Sequence, residues 1–211
     1  MSNAISPTSI TNYGRTESEL QTFWVFCILV AGKNSDTTAR VVSKFFSSKA
    51  DEQSPFDYLL WMTSRPFNYL HNTLVANRVG QYHRITRALQ ETVNFHGPGR
   101  PIDLRTCTVD DLQSIHGVGP KTARFFLLHT RPDCECAVLD THVLSYLRDK
   151  GLGDDTPTST PTSMKVYRDL EHTFLVMIQL DFPQLTVAEA DLLIWSSYSG
   201  RLETDYPLPK G

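Results

Sequence analysis

The sequence is short of several things, and each shortage narrows the field. It has only four cysteines, at positions 27, 107, 134 and 136. They are too few and too irregularly spaced for a disulfide scaffold, which points to a reducing compartment. The longest uninterrupted apolar run, Phe23 to Ala31, has nine residues, too few to span a bilayer. The segment before it has no positively charged start, so the run does not read as a signal peptide. No stretch alternates apolar and polar residues well enough to build a sheet, and no internal repeat is present. Charge of one sign is also scarce: the 211-residue chain carries a net −3, which by itself argues against an anionic partner.

The distribution of charge says something different. Residues 1–64 sum to −1, residues 65–131 to +5 and residues 132–211 to −7. Five of the seven histidines (71, 83, 96, 116 and 129) also fall in the basic middle segment. A basic segment inside an acidic chain is a candidate face for nucleic acid or another polyanion, or else a solvated face paired with acids elsewhere.

Helical periodicity and helix-start patterns recur along the chain, and the predicted class is all-α with roughly ten short helices. Ser18 with Gln21 forms a capping-box pattern for a helix over about 19–31. Ser35 and Asp36 can cap a second helix. Pro55 and Pro66 can each occupy a first helical turn, leading to helices ending near Met62 and Ala76. Further helices are expected over 79–96, from Thr108 to His116, 120–130, 141–150, 164–180 and 187–199. A Pro-, Thr- and Ser-rich loop covers 151–163.

The most informative stretch is Ile115-His116-Gly117-Val118-Gly119-Pro120-Lys121-Thr122-Ala123, a helix, a Gly-Val-Gly turn and a second helix. The glycines permit close backbone approach. The turn amides and the positive end of the following helix can hold a phosphate without reading base sequence. A tight connection with no ligand is the alternative. Lys121 opens the second helix, where burial and the helix dipole both favour a neutral, nucleophilic amine over an ammonium. Downstream, Ala137-Val138-Leu139-Asp140-Thr141-His142 places Asp140 as an N-cap after an apolar run. One of its oxygens can cap while the other faces a cleft.

The hairpin, Lys121 and the Asp-x-His together resemble the helix–hairpin–helix DNA glycosylase superfamily, which includes endonuclease III and the 8-oxoguanine DNA glycosylases. The signature glycines, proline and aspartate are Gly117, Gly119, Pro132 or Pro120, and Asp140. No cysteine follows Cys136, so the four-cysteine iron–sulfur cluster of endonuclease III relatives is not expected. Cys134 and Cys136 read as ordinary thiols. The resemblance is closest to the small cluster-free archaeal-type 8-oxoguanine enzymes. It implies two helical lobes, residues 33–132 and residues 1–32 plus 133–211, with the active site in the cleft between them. It implies Lys121 as nucleophile and Asp140 as stabilising carboxylate. Gly117, Val118, Gly119, Thr122 and His142 are the implied backbone contacts, and Asp191, Trp195 and Lys210 the base-recognition residues.

The function so implied is excision of a damaged base, 8-oxoguanine first, followed by strand cleavage through a Schiff base and β-elimination. The same chemistry on another modified base, or a non-catalytic DNA-binding module, are the alternatives. The expected partner is double-stranded DNA, bound by a monomer in the cytoplasm or nucleoid (the nucleus in a eukaryote), with no membrane. No organic cofactor or catalytic metal is expected; a monovalent cation on the hairpin carbonyls is left open.

Overall fold

The computed structural model describes residues 5–7 and 9–200. It is all-α. The ten α-helices are α1 (Glu17–Val30), α2 (Ser35–Phe45), α3 (Pro55–Thr63), α4 (Tyr69–Ala76), α5 (Tyr82–Val93), α6 (Val109–Ser114), α7 (Pro120–Leu128), α8 (Thr141–Leu147), α9 (Met164–Asp181) and α10 (Val187–Tyr198), with no strand among the described residues. None of these helices is long and apolar enough to cross a membrane. The chain forms two compact units, Met1–Phe126 and Leu127–Gly211, so the division falls inside α7.

In the first unit α1 is the central helix. Every residue from Leu20 to Leu29 is buried, which is why its sequence is a solid apolar run rather than a stripe. It packs on α2, α3 and α5, so residues 17–30 belong with this unit. The Trp24 indole, fully buried, donates to Thr92 Oγ1 of α5 at 3.1 Å. The capping box is Thr16 with Glu19, not Ser18 with Gln21. Gln21 has another role: its Oε1 accepts from Phe56 N at 3.0 Å and anchors the start of α3. Asn34, rather than Ser35 or Asp36, caps α2 through a 3.0 Å bond from Thr37 N.

Two helices start later than the sequence suggests, and backbone angles explain both. Phe67 and Asn68 take left-handed φ values of 60° and 52°, so α4 begins after them. Arg78, Gly80 and Gln81 are also left-handed, which delays α5 to Tyr82.

The second unit is built around Tyr146, Tyr167, Phe174, Ile178, Phe182 and Ile194, contributed by α8, α9, α10 and the turn after α9. The helix expected over 141–150 ends at Leu147 and continues as a π turn, Arg148–Leu152. Asp181 closes this end of the core, accepting from the Tyr146 hydroxyl at 2.7 Å and from Lys150 Nζ at 2.8 Å.

Candidate nucleic-acid interface and catalytic residues

In the first unit, the Thr108–Asp111 capping box starts α6, which ends at Ser114. The chain then turns through His116, Gly117, Val118 and Gly119 into α7. Val118 is buried and its amide donates to Ile115 O at 3.1 Å, so the turn is anchored from inside. Gly117 is left-handed at φ +74°. The amides of Gly117, Gly119, Lys121 and Thr122 make no hydrogen bond within the described residues; the first helical bond of α7 is Ala123 N to Gly119 O at 3.1 Å. Unsatisfied amides clustered at a helix start form an anion-binding concavity. The Thr122 side chain is buried, so its amide, not its hydroxyl, is the group on offer.

Helix α5 clamps the turn at two points. Arg84 Nη1 donates to Gly117 O at 2.9 Å, and Nη2 to Ile28 O of α1 at 3.0 Å. Glu91 Oε2 accepts from His116 N at 2.6 Å, while its Oε1 pairs with Arg87 at 2.8 Å. Burial raises the Glu91 pKa, but these bonds outweigh it and hold the carboxyl below its ordinary value. Lys121 is partly buried, and its Nζ engages no hydrogen bond or ion pair among the described residues. An amine with no internal commitment can be presented to a substrate.

In the second unit, a scaffold of hydrogen bonds fixes Asp140. The buried Tyr167 hydroxyl of α9 donates to Ala137 O at 2.7 Å and accepts from Leu139 N at 3.3 Å. Glu171 Oε1 accepts from Ala137 N at 2.9 Å, and Thr160 donates to Leu139 O at 2.8 Å. Asp140 follows as the N-cap of α8. Both capping bonds, from His142 N at 2.8 Å and Val143 N at 3.0 Å, fall on Oδ1. Oδ2 carries no bond within the described residues, so this carboxylate caps with one oxygen and keeps the other.

The residues assigned to base recognition are also placed. The His142 ring lies edge-on to Trp195 of α10, with centroids 6.3 Å apart, so a residue assigned to the DNA backbone stands beside one assigned to the base. Asp191, one helical turn before Trp195, is buried, with Oδ2 3.5 Å from the Nε2 of His129, itself fully buried. Lys210 lies outside the described residues.

Sequence reasoning missed Arg84, Glu91, Tyr167 and His129. Each acts on a residue far away along the chain, and nothing in its local pattern marks it. Cys134 and Cys136 are both thiols; the Cys134 Sγ lies 3.0 Å from that of Cys136, and the hydrogen bond between them lowers the Cys134 pKa. Among the described residues no group of three or more His, Cys, Asp and Glu is placed to hold a metal ion.

A family model, the helix-hairpin-helix motif, matches residues 100–128. No curated protein matches the chain by sequence. In structure the chain is similar to the 8-oxoguanine glycosylase/lyase of Methanocaldococcus jannaschii, solved in complex with 15mer DNA containing 8-oxoguanine. The TM-score is 0.66 at 21% identity, over 90% of this chain and 86% of that one. The chain therefore carries a helix–hairpin–helix motif on an all-helical fold shared with that enzyme.

Proposed function

We propose that this protein is a bifunctional DNA glycosylase and AP lyase that removes a damaged base, 8-oxoguanine first among the candidates. The observation that carries the reading is the pairing of roles: an uncommitted Lys121 amine directly follows a turn with unsatisfied amides, and Asp140 holds one oxygen in reserve. The fold shared with the 8-oxoguanine glycosylase/lyase of Methanocaldococcus jannaschii supports it.

The target nucleotide must leave the stack before chemistry can occur. As the glycosidic bond breaks, its electron pair departs with the base and positive charge develops on the sugar. The Asp140 carboxylate stabilises that charge. The Lys121 nitrogen lone pair then forms a bond to C1′ and the amine gives up its proton. Ring opening yields a Schiff base, and loss of a C2′ proton expels the 3′ phosphate oxygen, which cuts the strand. Asp191 and Trp195 supply an acceptor and an aromatic face for the displaced base.

Borohydride reduction in the presence of duplexes, each carrying one lesion, tests the reading. Trapping of a covalent complex with the 8-oxoguanine duplex, abolished by Lys121→Gln, is the expected result. Trapping on a different lesion would change the substrate and leave the mechanism. A protein that binds every duplex and traps on none would be a DNA-binding module.

A further inference from the structure

Beside the hairpin, within the first unit, lies a groove of about 530 Å³. Its lining includes His71 of α4, His83, Arg84, Arg87 and Gln90 of α5, and His116 of the hairpin, and no carboxylate. The His71 and His83 rings lie 5.0 Å apart, centroid to centroid. His71 uses Nδ1 on Thr86 Oγ1 at 3.2 Å, which leaves Nε2. The His83 ring meets the His71 ring but makes no hydrogen bond among the described residues, and it is exposed. Arg87 spends Nε on Glu91 and is also exposed. Arg84 commits one N–H of each guanidinium nitrogen to Gln81, Gly117 and Ile28, which fixes its charge beside the groove.

These features make a cationic recess with unspent donors. Either neutral tautomer of an imidazole presents an N–H, and an oxyanion rewards the doubly protonated form. His116 joins the recess to the turn, since it directly precedes Gly117. DNA phosphates recur along a strand, so a protein that holds one at the Gly-Val-Gly amides meets the next beside it. We propose that this groove is a second phosphate subsite, taking a backbone phosphate of the strand that the hairpin grips, with His71, His83 and Arg87 as its donors. The inference rests on the proposed DNA role and extends the grip from one phosphate to two. Nothing in it concerns base identity, so it serves undamaged and damaged duplex alike.

The experiment is equilibrium binding of the full chain to an undamaged duplex, followed by fluorescence anisotropy at fixed low salt. His83→Gln, an exposed change, is the primary variant, and His71→Gln/His83→Gln the second. Loss of one charge-assisted phosphate contact weakens binding by about tenfold. His83→Arg should restore most of it, and thermal melting of His83→Gln should match wild type. Wild-type affinity in both glutamine variants would overturn the subsite while leaving the DNA role intact. A wild-type chain that fails to bind duplex at all would remove the DNA role and the subsite together.

Discussion

Arg84 and Gly117 are joined in two ways. The guanidinium donates to the Gly117 carbonyl at 2.9 Å. The arginine stem also fills the space a side chain would need, because a Cβ built on Gly117 falls 2.5 Å from Arg84 Cγ. Position 117 therefore requires glycine for two independent reasons, its φ of +74° and the arginine packed against it. With the third bond to Ile28 O, Arg84 ties the end of α1, the start of α5 and the hairpin into one piece.

The two hairpin glycines should consequently respond differently to alanine. Gly117→Ala meets both the left-handed backbone and Arg84, and is expected to cost at least about 2 kcal/mol of stability. Gly119→Ala meets nothing within 4 Å and no positive φ, so its cost should stay under about 1 kcal/mol. Its methyl would stand in open space at the turn, and DNA binding should fall severalfold in a protein that still folds. Denaturant unfolding and anisotropy on the same two variants check this.

Asp140 combines a cap with a reserved oxygen, and two substitutions separate them. Asn caps about as well as Asp, so Asp140→Asn should change stability by only a few tenths of a kcal/mol. Asp140→Ala loses both bonds to Oδ1 and should cost about 1 kcal/mol. Excision in single-turnover assays should drop steeply in both. An asparagine variant with wild-type excision would confine Asp140 to a structural role.

Lys33 is expected to give stability an unusual pH dependence. Its Nζ is buried without a hydrogen-bond partner among the described residues. Burial, with Arg84 nearby, lowers its pKa from 10.5 to about 8. Folding thus disfavours the ammonium. Below about pH 8 that penalty is fully present, and it fades as pH rises from about 8 towards 10.5, where the unfolded chain binds more protons than the folded one. Lys33→Met should raise the melting temperature at pH 7, and the advantage should shrink across that window. A constant advantage from pH 7 to 10.5 would refute the burial argument.

Phe67 has a left-handed backbone, φ 60°, and is 90% exposed. A bulky residue there carries strain with little packing in return. Phe67→Gly relieves the strain at some cost in chain entropy, and a net gain of about 0.5 to 1 kcal/mol is expected in denaturant unfolding.

Local chemistry was legible where the pattern and its partner sit within a few residues. The helix starting at Thr108 and the helix with Pro55 in its first turn form as their sequences suggest. The start of α1 was misread because Thr16–Glu19 and Ser18–Gln21 both satisfy the same short pattern. Only the packing of α3, whose Phe56 amide takes the Gln21 carbonyl, decides between them.

The sequence by itself therefore determined the helical class, the glycine turn ahead of Lys121 and the position of Asp140 as a cap, since each depends on neighbours along the chain. The tertiary structure decided the rest. Arg84 and Glu91 hold the hairpin from α5, Tyr167 and Glu171 hold the approach to Asp140 from α9, and His129 stands against Asp191. It also gathers histidines from two helices and a turn into one groove. These are contacts between residues remote in sequence, and no local propensity or periodicity encodes which remote partner a side chain will meet.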